Sequence, residues 1–149
     1  GAFNLLVGTV SPDTPRDSLW YLGNRGAAPQ AVQPGIHGLS NGLLDDPWPK
    51  VERAKQNLAD AIAAGGNLQQ LLQVVNDHYQ PRDSELPDTG VGVELERLVA
   101  PVFIQSETYG TRASSAVILD REQGPQMLEQ VWQPDGHPAG HPNRSFSNA

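Results

Sequence analysis

Apolar and polar positions divide the chain into three blocks. Residues 2–10 are apolar and rich in β-formers, which predicts a buried strand. Residues 11–17 form a turn cluster around Pro12 and Pro15. Residues 19–22, Leu-Trp-Tyr-Leu, predict a second strand closed by residues 23–26, so the two strands should form an antiparallel hairpin. Residues 31–33 and 36–40 predict short strands interrupted at Pro34 and Gly35.

The middle block has helical periodicity. Asp46 is a candidate N-cap with Pro47 at the first helical position, and Pro49 leaves the start open as far as Lys50. Val51, Ala54, Leu58, Ala61 and Ile62 recur at helical spacing, and Gly65-Gly66 ends the helix. Asn67 should cap a second helix with Leu68, Leu71, Leu72, Val75 and Tyr79 on one face. The pair should pack antiparallel against a sheet. A polar connection over residues 80–92 leads to a short helix over 93–99, which Pro101 stops.

The last block predicts strands over residues 102–105, 114–120 and 126–132. From residue 133 onward Pro, Gly, His, Asn and Ser dominate, a composition that orders only if it docks. Strands in blocks on either side of two helices imply an α+β fold with antiparallel sheets and flanking helices.

Composition narrows the functional classes. The net charge is −7, most of it in the second half. That argues against a nucleic-acid binder or an anionic-membrane binder, both of which need a positive field. No run approaches the length of a membrane span, and no signal peptide is visible. The chain has no cysteine, so it holds no disulfide, thiolate metal site or cysteine nucleophile.

Few motifs suggest chemistry. Gly38-Leu39-Ser40-Asn41-Gly42 matches the nucleophile-elbow pattern, with Ser40 as nucleophile and Asp77 or Asp88 and His137 as partners. The helix begins too late for a true elbow, so a glycine-flanked loop with local hydrogen bonds is the favoured reading. His137 and His141 have the spacing of paired metal ligands, but Pro138 and Gly140 forbid the helix that spacing needs, and no metal site is expected. His37 and His78 read as structural or surface groups. Trp20, Tyr21 and Trp48 read as core aromatics. Residues 45–50 place Trp48 between two prolines before a helix, either as an anchored loop or as a pocket rim. Tyr109 and Arg112 lie at a turn, where Arg112 serves either a surface ion pair or a site.

Together these segments resemble a known family. Phe3 to Gly8, Leu19 to Leu22 with Asn24 and Arg25, Pro34 to Asn41, Leu44-Asp45, Pro47 to Lys50, Leu86 to Gly90 and Tyr109 to Arg112 occur in order. The set resembles the NRDE family, also called the transport and Golgi organisation protein 2 family. Members open with a cysteine and an Asn-Arg-Asp-Glu motif that this chain lacks. The resemblance therefore implies that residues 1–132 are the C-terminal part of a larger single domain, followed by a tail over 133–149. It also implies likeness to N-terminal nucleophile hydrolases of the choloylglycine hydrolase branch, with an αββα sandwich. On that likeness Asn41 is an oxyanion-hole donor and Arg112 a cation beside the nucleophile, while Asn24, Arg25, His37, Ser40, Trp48, Lys50 and Tyr109 are binding residues.

The implied function is binding or trafficking of a small molecule, haem or an acyl or lipid compound. The alternative is a cysteine-dependent amide hydrolase whose nucleophile lies outside this chain. No cofactor is assigned, and haem is a candidate ligand whose axial group would come from His37, His78, His137, Met127 or a tyrosine. The expected partners are the N-terminal half of the same protein and a small molecule, with a homodimer as a substitute for that half. The expected location is cytoplasmic, or mitochondrial or Golgi-associated in a eukaryote.

Overall fold

A computed structural model of the chain describes residues 1–9, 18–26 and 28–145. The turn cluster expected at 11–17 lies outside the described residues. Among the described residues the fold is α+β, with two three-stranded antiparallel sheets and three α-helices.

The first sheet contains β1 (Asn4–Thr9), β2 (Ser18–Gly23) and β3 (Gln30–Ala31), in that order. The expected hairpin is present, with Leu5 opposite Leu22 and Val7 opposite Trp20. Burial departs from expectation. Leu5, Val7 and Trp20 share one face and are 47%, 50% and 45% exposed, because no other described element covers that face. Trp20 is thus not a core residue, whereas Tyr21, on the opposite face, is fully buried. Residues 36–40 form no strand. Their backbone groups are engaged elsewhere: Gly38 donates to Asp45 Oδ1 and accepts from the Asp45 amide, and the Ser40 carbonyl accepts from Asn4.

Helix α1 (Pro49–Ala63) starts later than Asp46 and Pro47 suggested. Trp48 is its N-cap, and the Trp48 carbonyl accepts from the amides of Val51 at 2.9 Å and Glu52 at 3.1 Å. The Asp46 carboxylate instead accepts from the Leu43 amide at 2.6 Å, which tightens the preceding loop. At the other end Gly65 and Gly66 have φ of 110° and 57°, so the helix ends in left-handed backbone that favours glycine.

Asn67 caps α2 (Leu68–Val74) as expected, and the capping box is complete. Its side chain accepts from the Gln70 amide while Gln70 Oε1 accepts from the Asn67 amide, both at 3.0 Å. The helix ends before Tyr79, which lies in the following loop. Helix α3 (Val93–Val99) follows a short 3-10 turn at Asp83–Glu85.

The second sheet runs β4 (Ala113–Asp120), β5 (Gly124–Val131), β6 (Asn143–Ser145). Leu68 and Leu72 of α2 pack on Ala116 and Leu128, with Leu71 and Ile118 at the margin, and this cluster is the main core. The alternate face of β4 leaves Val117 and Leu119 exposed. The strand expected at 102–105 reduces to one bridge between Gln105 and Gly110. Pro101 supplies no donor, and the Phe103 amide bonds the Asp77 carbonyl rather than a ladder. Beyond residue 132, among the described residues, Gln133 and His137 close a turn and residues 143–145 pair with β5.

Candidate functional site

Asn4, in the first strand, fixes the loop over residues 36–47. Its Nδ2 donates to the carbonyls of Ser40 at 3.2 Å and Gly42 at 2.9 Å. Its Oδ1 accepts from the hydroxyl of buried Tyr21 at 2.8 Å. Gly42 is required by close approach, since a Cβ there would collide with Asp46 Oδ2 and come 3.1 Å from Trp48 Cζ2. The Gly-x-Ser-x-Gly segment is therefore a clamped loop. It has neither the preceding strand nor the immediate helix of a nucleophile elbow. Ser40 and His137 line no common cavity, and Asp77 is held by Arg53 at 2.7 Å and Asn57 at 3.0 Å.

His37 pins the same loop from the other side. Its Nδ1 lies 2.6 Å from Asp45 Oδ2 and its Nε2 lies 2.8 Å from the Gln33 carbonyl. Both ring nitrogens face acceptors, so the doubly protonated ring satisfies the geometry best. The bond to Asp45, helped by the Gln33 carbonyl, raises the His37 pKa above its ordinary 6.5, and the same bond depresses that of Asp45. Asp45 takes a φ of 61°, a left-handed conformation that Asp tolerates better than most residues.

The loop, the start of α1 and the segment from 86 to 100 enclose a cavity of about 940 Å³. Its apolar wall includes Phe3, Leu43, Trp48 and Val99. Lys50, in the first turn of α1, donates to the Val99 carbonyl at 2.9 Å and lies 5.7 Å from the centre of the Trp48 ring. Burial pushes the Lys50 pKa down, partly offset by the charge of Glu96. Glu96 itself is only 6% exposed, and its Oε1 accepts from Thr89 twice, from the amide at 2.8 Å and the hydroxyl at 2.6 Å.

Of the residues singled out from sequence, Arg25, Ser40, Asn41, Trp48 and Lys50 line this cavity. The others do not. Asn24 ties the chain start to β2, accepting from the Phe3 amide and donating to the Gly1 carbonyl. His37 lies behind the loop. Tyr109 and Arg112 flank a separate depression of about 170 Å³, apart from Asn41. Sequence reasoning missed Asn4, Thr89 and Glu96. For Glu96 the available signal was its position, two residues after Glu94 on a short helix, where only one of the two acids can face solvent squarely. Among the described residues no group of three or more His, Cys, Asp or Glu side chains is placed to hold a metal ion, and no helix is long and apolar enough to cross a membrane.

The chain matches the family model described as Transport and Golgi organisation 2 over residues 1–134. It is 31% identical to the Transport and Golgi organization protein 2 homolog of Bos taurus over 134 residues, which covers 80% of this chain and 47% of the relative. The Transport and Golgi organization 2 homolog of Mus musculus is 31% identical over 132 residues, covering 79% and 46%. The Homo sapiens homolog is 31% identical over 130 residues, covering 80% and 47%. The chain thus spans about half the length of these relatives. A family-model match over residues 1–134, together with relatives 31% identical over about four-fifths of the chain, places this chain in the Transport and Golgi organisation 2 family.

Proposed function

We propose that the chain contributes the binding cavity of a small-molecule binding or trafficking protein, and that the ligand is an amphipathic acyl or lipid compound. The carrying observation is the cavity of about 940 Å³, within the size range of ligand pockets, with an apolar wall at Phe3, Trp48 and Val99 and polar groups at Arg25, Lys50 and Glu96. A long apolar chain gains from burial along the first wall, at roughly 25 cal/mol per Å². A polar head finds donors and acceptors at the second.

Haem coordination does not fit this cavity. Among the described residues no His, Cys, Met or Tyr lines it, and both nitrogens of His37 are already engaged. The alternative of cysteine-dependent amide hydrolysis draws on one observation, Asn41 in the cavity wall. It would require a thiol from outside this chain, which has none.

The uncovered apolar faces, Leu5, Val7 and Trp20 in one sheet and Val117 and Leu119 in the other, support a role for the rest of a longer protein as their cover. On this reading residues 1–132 belong to a larger sandwich-like domain. Titration of the full-length protein with a C12 acyl ligand, followed by tryptophan fluorescence, tests the function. Saturable quenching that is lost in Trp48→Phe is expected. Absence of saturable binding would overturn the reading, and cleavage of an amide panel that requires Asn41 would favour hydrolysis instead.

A further inference from the structure

The ionisable residues that line the cavity balance in charge. Arg25 and Lys50 are opposed by Asp46 and Glu96. Asp46 is committed to the Leu43 amide at the loop. Lys50 and Glu96 retain unused capacity. Lys50 donates one of its three ammonium hydrogens, to the Val99 carbonyl. Glu96 uses Oε1 for both bonds to Thr89, and Oε2 has no protein donor among the described residues.

No buried side-chain oxygen among the described residues lacks a partner, so Oε2 keeps access to solvent and is free to accept from a ligand in the cavity. Thr89 also holds Glu96 in place, so the carboxylate cannot simply turn away. A ligand head at this wall therefore meets a donor-only group and an acceptor-only group together. A carboxylate or phosphate head satisfies Lys50 but brings a second negative charge beside Glu96, where reduced solvent screening strengthens the repulsion. A head with hydroxyl groups can accept from Lys50 and donate to Glu96 without added charge.

We infer that Lys50 and Glu96 form the polar subsite of the cavity and select an uncharged, hydroxyl-bearing headgroup over a carboxylate or phosphate. The inference rests on reading the cavity as an acyl or lipid site. It extends that reading by naming the headgroup and by giving Glu96 a specificity role. Thr89 acts through Glu96 and is a positioning residue.

The test is a calorimetric titration of the full-length protein with three C12 probes: monolauroylglycerol, laurate and lauryl phosphate. The glyceride should bind about tenfold tighter than either anion. Glu96→Gln removes the like charge but keeps an acceptor for Thr89. It should raise laurate affinity by about tenfold and weaken the glyceride by about three- to tenfold, because the hydroxyl loses its carboxylate acceptor. Lys50→Gln, read independently, should weaken laurate by about tenfold and the glyceride by less. Circular dichroism and thermal melts confirm that each variant is folded. Tighter binding of either anion by the unaltered protein overturns the headgroup assignment while leaving the acyl-binding function standing. Unchanged selectivity in both folded variants overturns the role of the pair. Failure of all three probes to bind removes the acyl reading of the cavity and this inference with it.

Discussion

Replacing Asn4 with Ala removes three hydrogen bonds at once: two that hold the loop carbonyls of Ser40 and Gly42, and one that receives the Tyr21 hydroxyl. At a net value of about 1 kcal/mol per bond, the loss is about 3 kcal/mol. The Tyr21 hydroxyl sets a floor. It belongs to a fully buried residue, and an unsatisfied buried hydroxyl costs about 1–3 kcal/mol unless water enters the space left by the amide. Urea unfolding of the intact protein, followed by tryptophan fluorescence, should show a matching fall in stability. The melting temperature should drop by roughly 6–12 °C, at 2–4 °C per kcal/mol for a domain of this size. Tyr21→Phe cuts only the third bond and should cost about 1 kcal/mol. The double variant should fall short of the sum by about 1 kcal/mol, because the shared bond is counted once. Asn4→Asp keeps the acceptor for Tyr21 but sets a carboxylate against two carbonyls, and should be at least as harmful as Ala. A loss below about 0.5 kcal/mol for Asn4→Ala, or strictly additive single variants, would refute the clamp.

The other expectations follow from the same loop and the core. The raised His37 pKa contributes stability that is complete below about 6.5 and is lost as pH rises through the folded value. The lowered Asp45 pKa contributes stability that is present above about 3.8 and is lost as pH falls through its folded value. The pair should therefore support the loop best between those limits. An NMR titration should place the His37 midpoint above 6.5, and Asp45→Asn should bring it down. Gly42→Ala, forced against Asp46 and Trp48, should cost about 1–3 kcal/mol in the same unfolding assay and perturb Trp48 fluorescence. Leu128→Ala opens a cavity under α2 and should cost about 2–5 kcal/mol without altering ligand affinity.

Local signals were read well where one interaction decides the structure. The Asn67 and Gln70 capping box, the Gly65-Gly66 stop and the β1–β2 hairpin each depend on residues close in sequence. Burial was read poorly where it depends on what covers a face. The run Leu5-Leu6-Val7 looks like buried core, yet both alternating faces leave it 44–50% exposed. Of the five predicted residues that line the cavity, four lie within residues 40–50, where one loop and one helix start gather them. Glu96 could not be found that way, because its role depends on Thr89 and on α3, whose Val99 carbonyl accepts from Lys50. Asn4 was hidden for the same reason: its partners lie 36 and 38 residues away.

The departures from local preference converge on this cavity and on the loop that supports it. Lys50 places a cation in the first turn of α1, where the helix dipole disfavours it, and burial disfavours the charge again. Trp48 occupies an N-cap position without supplying a side-chain cap, where Ser, Thr, Asp or Asn would serve the helix better. Asp45 adopts positive φ, and Glu96 puts a carboxylate at a position only 6% exposed. Each choice works against fold stability. By contrast, α2 follows the rules throughout: a complete capping box, leucines at helical spacing and an apolar contact with β4 and β5. If folding alone shaped the sequence, such exceptions would be scattered. Their concentration at one end of α1 and the facing wall fits a cavity whose polar groups are held ready for a ligand at a cost to stability.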